Sequence, residues 1–501
     1  MVEPLPMPSP HITASESLPK KPGVLVIFAT QKESESDAAS KQAELDAKVR
    51  GALDKSLVET IDRLIASGEI SGSAGETVCV ATSHDQAPML VVASLGSASQ
   101  LTRGGVVDAS ATVVRKLADK SRAQITFLVG GEIDSDDHDA LVAGALTACE
   151  GQHLYQSQPS TFVPESLTFV GISSSAAEVG EKIGSSVNHT RRLVNEPPTI
   201  MNPTEFANQA AAMAAAEGLT CEIWDEHRLE SEGCRAILAV GRASTSPPRL
   251  VILKHNGGGS EPPIAIVGKG VTFDSGGLSI KPSDGMVDMK CDMAGAATVV
   301  GVMRAIARLG IKRNVIGLCG LAENMISGDS YKLGDVIETR SGKTIEILNT
   351  DAEGRVVLAD TLDVAVEHGP SVIVDLATLT GACMVALGND VAGFMTNNQD
   401  LCDEVTSAAQ VECEPVWQLP MFPLYNDKVK SKVADIKNVG EGRWGGAITA
   451  AKFLEHFVKD TPWLHIDIAG PAFVDSAKPS RDAGATGVMV RSLIRFIGDK
   501  Q

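Results

Sequence analysis

Short runs rich in β-branched residues, each followed by a stretch with helical spacing, set the first limit on how this chain can fold. "VLVIFA" (24–29), "ETVCVAT" (76–82), "MLVVASLG" (89–96), "QITFLVGG" (124–131) and "LTFVGIS" (167–173) alternate with the helix-like "GGVVDASATVVRKLADK" and "DHDALVAGALTACE". A second series follows: "LTCEIWD", "RLVILKH", "PIAIVGKGVTF", "RNVIGLCGLAE", "SVIVDLATLTG" and "WLHIDIAG". Strands separated by helices require crossover connections, so the expected class is α/β with mostly parallel sheets. At 501 residues the chain exceeds what one core serves. Between the two series, "SAAEVGEKIGSSVNHTRRLVNEPP" reads as a long helix stopped by Pro197 and Pro198, because proline lacks the helical donor and crowds the preceding turn. The expected organisation is therefore a disordered tail over 1–22, a smaller N-terminal α/β domain over 23–185, and a larger C-terminal α/β domain over 186–501. The larger domain is expected to hold a mixed, mostly parallel sheet flanked by helices.

Charge and cysteine usage remove several classes of function. A formal charge of -19 leaves no basic stripe for phosphate backbones, so no nucleic-acid partner is expected, while cations would be attracted. The nine cysteines are scattered, with no C-x-x-C pair, which excludes a zinc finger and points to small buried hydrophobes in a reducing compartment. No run reaches the roughly 18 apolar residues of a membrane span, and the N-terminus has no basic start followed by an apolar stretch. The expectation is a cytoplasmic protein without a membrane partner.

Three stretches place acids where an apolar run has just ended. In "VGKGVTFDSGGLSIKP" an apolar run carries Lys269 and leads to Asp274, two glycines and Lys281. In "KCDMAGAATVVGVMRAIARLG", Asp292 precedes a helix that starts with small residues. In "LNTDAEGR", Asp351, Glu353 and Arg355 fall between a strand-like and a helix-like run. Taken singly, Asp292 reads as an N-cap, Asp351 and Glu353 as acids favoured by a helix dipole, the lysines as solvated, and Arg355 as a surface ion-pair partner. A nucleotide loop is not supported, since "GKGVTF" completes neither phosphate-binding pattern. Taken together, four carboxylates at strand and helix ends would repel one another without cations, and oxygen-rich sets suit hard or borderline divalent ions. Histidine offers no rival: H-E-x-x-H is absent, and His465 reads as a packed residue.

"VGKGVTFDSGGLSIKP", "MKCDMAGAA", "NTDAEGR" and "DLATLTGA", in this order, closely resemble the leucyl aminopeptidase family, the two-metal cytosol aminopeptidases. The resemblance covers roughly Arg191 to the C-terminus, with only general α/β character before it. It implies two divalent ions per subunit, zinc or manganese with magnesium as a further candidate, held by Lys269, Asp274, Asp292, Asp351 and Glu353. Asp274 and Glu353 would bridge the two ions, Lys269 and Asp292 would complete the tighter site, and Asp351 the more exchangeable one. It also implies Lys281 and Arg355 as the catalytic pair, with Arg355 holding a bicarbonate ion that serves as general base. Met289, Thr378 and Gly381 would line the pocket for the first side chain, and Leu379 would offer a backbone contact near the scissile bond.

A lysine ligand is chemically unusual, because only the neutral amine has a lone pair. Lowering its pKa from about 10.4 to below about 7 costs roughly 5 kcal/mol, which ion binding must offset. The activity implied is release of N-terminal leucine or another apolar residue from peptide substrates, a water activated between the two ions attacking the carbonyl. The family also implies a homohexamer of two stacked trimers. A catalytically silent scaffold with the same fold is the competing reading, and a dimetal phosphatase a third.

Overall fold

The computed structural model describes residues 9–32, 42–84, 87–442 and 444–499. The chain divides into two compact units, residues 1–188 with 476–483, and residues 189–475 with 484–501. The division falls inside the helix Ser174–Asn195 that ends before the two prolines. The short return of 476–483 to the first unit is not visible to a linear reading of the chain.

In the first unit the strands are β1 (His11–Ser15), β2 (Val24–Gln31), β3 (Ala43–Glu44), β4 (Thr77–Ala81), β5 (Met89–Ser97), β6 (Gln124–Leu128) and β7 (Ser166–Val170). They form one sheet in the order β1-β7-β6-β2-β5-β4, with β3 paired to β2. The pairs from β1 across to β5 are parallel, while β4 and β3 run antiparallel to their neighbours. Phe28, Phe127 and Phe169, one from each of three adjacent strands, stack with centroids 6.2 and 5.0 Å apart and give this core its bulk. Residues 11–15 correct the expectation of a disordered tail over 1–22: they form the edge strand β1 against β7. "HITAS" has too little apolar patterning to announce a strand, and the parallel ladder offered by β7 decides it. Residues 1–8 of that tail lie outside the described residues.

The second unit holds β8 (Thr220–Trp224), β9 (Arg249–Asn256), β10 (Ile264–Asp274), β11 (Asn314–Asn324), β12 (Val336–Glu338), β13 (Thr344–Glu346), β14 (Val372–Ala377), β15 (Ala392–Thr396), β16 (Val416–Gln418), β17 (Ile436–Lys437) and β18 (Trp463–Asp467). Eight of them make a mixed sheet in the order β16-β15-β18-β14-β10-β11-β9-β8, and β12, β13 and β17 make a small second sheet. The central β18, β14, β10 and β11 are parallel, so their carboxyl ends share one edge. β10 and β14 are buried almost end to end, which is why they read as continuous apolar runs with no alternation.

The helix Ala294–Leu309 packs on β10, β11 and β14. It approaches unusually closely at Gly268, where an added Cβ would lie 2.5 Å from the Cα of Ala296. A Gly268→Ala chain should therefore lose about 1–3 kcal/mol to overpacking. Gly498→Ala, at a helical position where the new Cβ meets only Ile311 Cδ1 at 3.8 Å, should be neutral or slightly stabilising. Thermal unfolding of the two variants should show the first well below the parent and the second at or above it.

Candidate metal centre

The acids singled out in the sequence meet at the carboxyl edge of the central parallel strands. β10 carries Lys269 in its interior and Asp274 at its last position, both buried. A one-turn helix at Met289–Cys291 presents Asp292, and the turn before the helix Gly354–Glu367 presents Asp351 and Glu353. Gly354 is what lets that turn close down on β10. A Cβ there would stand 2.4 Å from Lys269 Cε and 2.7 Å from its Nζ, so only glycine admits the lysine at this depth.

Two ion-paired layers result. In the deeper one, Lys269 Nζ donates to Asp292 Oδ1 at 2.6 Å and to the Thr378 carbonyl at 3.0 Å, and lies 2.8 Å from Glu353 Oε1. In the outer one, Lys281 Nζ lies 2.8 Å from Asp274 Oδ2 and 2.6 Å from Asp351 Oδ1. Side-chain exposure marks the gradient: 2–5% for Lys269, Asp292, Glu353 and Asp274, against 18% for Lys281 and 33% for Asp351. Thus all five expected ligands and Lys281 converge, and Asp274, Asp351 and Glu353 each place one oxygen within 4.8 Å of the others.

This charge distribution disposes of the single-residue readings. Asp292 is not the N-cap of the helix that follows, a position Met293 holds; its Oδ1 is taken by Lys269 and by the Thr378 hydroxyl at 2.7 Å. Glu353 occupies the N-cap position of its helix but makes no side-chain capping bond. Neither lysine is freely solvated. Four carboxylates face two ammonium groups, and two further buried oxygens, Asp292 Oδ2 and Glu353 Oε2, find no hydrogen-bond partner among the described residues. Burial lifts the Asp274, Asp292 and Asp351 carboxyls above their ordinary range, with the lysines opposing the rise. Burial would likewise depress both lysines, but the facing carboxylates outweigh it and hold them fully charged. A surplus of buried, partly unpartnered carboxylate oxygen is the donor chemistry that divalent ions satisfy, and the residues present fit such ions.

The remaining expected residues sit around this cluster. Arg355 is buried, donates from Nη1 to the Asn438 carbonyl at 2.9 Å, and leaves Nε without a hydrogen-bond partner among the described residues. It is not the surface ion-pair partner its sequence suggests; burial pulls its pKa down to about 10, against the pull of Glu353 and Asp467. Met289 is half-buried in the one-turn helix, and Gly381 is exposed at the start of the helix Gly381–Leu387. Thr378 commits its hydroxyl to Asp292 and its carbonyl to Lys269, so its polar groups buttress the cluster. The Leu379 amide donates to Asp467 Oδ1 at 3.3 Å, and Thr380 Oγ1 donates to Asp467 Oδ2 at 2.7 Å. His465 is fully buried and paired through Nδ1 with Asp375 at 2.6 Å, a packed residue as its sequence context suggests.

Sequence reasoning missed Asn324, Tyr331, Thr350, Asn438 and Asp467, all buried around the cluster. Thr350 stands inside "LNTDAEGR" beside Asp351, while the others are brought to the site only by strand register or a long-range hydrogen bond. Asp467, at the carboxyl end of "WLHID", carried the one available signal: an acid where a buried strand ends.

Residues 188–494 match the cytosol aminopeptidase family's catalytic domain, and residues 25–159 match its N-terminal domain. The chain is 67% identical over 497 residues to a probable cytosol aminopeptidase of Rhodopirellula baltica, covering 99% of this chain and 98% of that protein. It is 38% identical over 520 residues to a probable cytosol aminopeptidase of Koribacter versatilis, covering 97% and 99%. Among solved structures, the bottromycin maturation enzyme BotP in complex with Mn superposes with a TM-score of 0.83 at 31% identity, covering 96% of this chain and 99% of that one.

With chelator present, Lys269→Met should destabilise the second unit by about 3–5 kcal/mol, since two buried carboxylates lose their counter-charge. Calorimetry of the metal-free variant reads this directly, and an unchanged unfolding temperature would show that the pair carries no such energy.

Proposed function

The chain belongs to the cytosol aminopeptidase family, which makes it a metal-dependent aminopeptidase, and from that premise we propose that it removes N-terminal leucine or other apolar residues from peptides at a two-ion centre. The observation that carries the reading is the convergence of four carboxylates on the buried Lys269 and the partly exposed Lys281, with acid oxygens left over. Lys269, Asp274, Asp292, Asp351 and Glu353 would hold the ions. Lys269 and Asp292 belong to the deeper position and Asp351 to the more exposed one, which accords with tighter and more exchangeable binding. Zinc and manganese suit a set of carboxylate oxygens with one amine, and magnesium is a weaker fit to the amine. The structure of BotP with Mn supports manganese among these. When bound, the ions would supply Lewis acidity, polarising the peptide carbonyl and lowering the pKa of water toward neutrality.

The side chains of this chain divide the remaining work. Lys281, partly exposed and held charged by Asp274 and Asp351, would donate to the carbonyl oxygen as negative charge develops there. Arg355 keeps an unspent buried donor, Nε, that suits a small oxyanion such as bicarbonate. That anion would accept the proton in place of a histidine or free carboxylate, since the neighbouring acids are committed as ligands. Asp467 holds the Leu379–Thr380 backbone in position beside Lys269, where a substrate chain can pair with it. Met289, half-buried, and the small residues Thr378 and Gly381 would line the pocket for the first side chain. A free α-amine would serve as the recognition element, because it can bind a cation that an internal peptide nitrogen cannot.

We further propose that the chain works as a homohexamer in the cytoplasm. The exposed Trp417, Phe422 and Leu424 of the second unit give apolar surface for an assembly to cover. A light-scattering mass of one 52.4 kDa chain would count against it. The scaffold reading loses support because a chain released from catalysis has no physical reason to keep a costly buried lysine between two buried acids.

Leucine amide should be hydrolysed after loading with Mn²⁺ or Zn²⁺, and chelator should abolish this. A phosphate ester should remain uncleaved, and its cleavage would transfer the site to phosphatase chemistry. Asp274→Ala should lower the metal content per chain. Lys281→Ala should retain metal while kcat falls by about 10²–10³. A loaded protein with no peptidase activity on any apolar substrate would sink the proposal.

A further inference from the structure

Asn324 is the last residue of β11 and stands directly opposite Asp274 in the parallel register with β10. It is completely buried. Its Nδ2 donates to Asp274 Oδ1 at 2.7 Å and to the Thr350 carbonyl at 3.0 Å. The Gly276 amide donates to the same Asp274 oxygen at 2.9 Å. Both lone pairs of Oδ1 are thereby taken, and only Oδ2 is presented to Lys281 and the interior of the cluster. The amide orientation follows from its surroundings: Asp274 Oδ1 and the Thr350 carbonyl are both acceptors, so an oxygen in place of Nδ2 would meet two oxygens. The other end, Oδ1 of Asn324, has no hydrogen-bond partner among the described residues and lies beside the backbone of Gly277, where an added Cβ would come within 3.0 Å. The rest of the asparagine is tied down as well, its carbonyl accepting from the Ser275 amide at 3.0 Å and the Ser275 hydroxyl at 2.7 Å.

The second acceptor matters as much as the first. Thr350 precedes Asp351 and Glu353 in the turn, and its carbonyl also accepts from the buried Tyr331 hydroxyl at 2.8 Å. Its own hydroxyl donates to the Gly276 carbonyl at 2.7 Å and accepts from the Ser279 amide at 2.8 Å. One carboxamide thus joins the end of β10, which supplies Asp274, to the turn that supplies Asp351 and Glu353.

We propose that Asn324 is a positioning residue of the metal centre: by occupying one oxygen of Asp274 and the Thr350 carbonyl with a single NH₂ group, it sets which Asp274 oxygen faces the ions and how far the "NTDAEGR" turn stands from β10. Nothing in this role touches substrate. It rests on the two-ion reading above. Partners of this kind typically change metal affinity or activity by about 10–100-fold when removed, because an unheld ligand must be ordered at the moment of binding.

The test is Mn²⁺ binding by the full-length chain, titrated after chelator treatment, alongside kcat and KM for leucine amide at saturating Mn²⁺. Asn324→Ala should weaken Mn²⁺ binding by about 10–100-fold while KM at saturating Mn²⁺ changes little. Tyr331→Phe removes the other hydrogen bond to the Thr350 carbonyl but leaves Asp274 untouched, and should shift Mn²⁺ affinity by less than about threefold, well below that range. Asn324→Ser, whose hydroxyl is too short to span both acceptors, should behave like the alanine variant and guards against a packing defect in one substitution. Unchanged Mn²⁺ affinity in both Asn324 variants overturns the inference, as does an equal loss in Tyr331→Phe, which would assign the effect to the turn alone. If neither Asn324 variant folds, the residue serves folding and not positioning, and the inference fails. If the parent chain binds no Mn²⁺ at all, it is the two-ion reading that has failed.

Discussion

Everything in the second unit is arranged around a surplus of buried negative charge. Four carboxylates drawn from three separate segments lie within hydrogen-bonding reach of two lysines, at the edge of a sheet that excludes water on both faces. Removing such charges from water carries a large penalty, recovered only where opposite charge stands close and the remaining lone pairs are satisfied. Here the lysines cover part of the demand, and Asp292 Oδ2 and Glu353 Oε2 are left over. The polypeptide alone therefore holds the centre in a partly compensated state, and added cationic charge completes it. This also explains how a lysine can sit among these acids: its ammonium is the internal counter-ion that a dication would displace.

Such a cluster needs a scaffold that does not relax away from it. The parallel strands β18, β14, β10 and β11 bring their carboxyl ends to one edge, the place where open α/β sheets present their functional loops. The helix Ala294–Leu309 lies so close to β10 that glycine is required at position 268, which removes slack directly behind Lys269. Gly354 serves the opposite side of the same lysine, allowing the turn with Asp351 and Glu353 to press onto its side chain. Asn324 and Thr378 donate directly to Asp274 and Asp292, while the hydroxyls of Tyr331 and Thr350 tie down the backbone carbonyls of Thr350 and Gly276 beside them. The first unit stands on its own aromatic core and contributes none of the residues of this cluster.

The alternation of strands and helices was legible because burial on both faces leaves an unbroken apolar run, as in β10 and β14, and because a proline pair ends a helix for steric reasons. Short strands were not. β1, β12, β13 and β17 have five residues or fewer and little apolar pattern, so their pairing depends on the partner that the fold brings alongside. The chemistry-bearing residues were legible as types in context, acids and lysines at the ends of apolar runs. Their individual surroundings were not: Asp292 taken alone looks like a helix cap, and Arg355 taken alone looks like a surface residue, yet both are buried and bonded elsewhere.

What the sequence by itself determined is the class of fold and the inventory of donors, because hydrophobic periodicity and residue type are properties of the chain and survive without coordinates. Tertiary structure alone decided which oxygen of each acid faces inward, that Lys269 and Lys281 serve separate pairs of carboxylates, and that Asn324 stands opposite Asp274. Those outcomes hang on strand register and on contacts between residues about 20 to 110 positions apart. No local pattern encodes them, since a hydrogen bond's direction is set by whatever the rest of the fold places across from it.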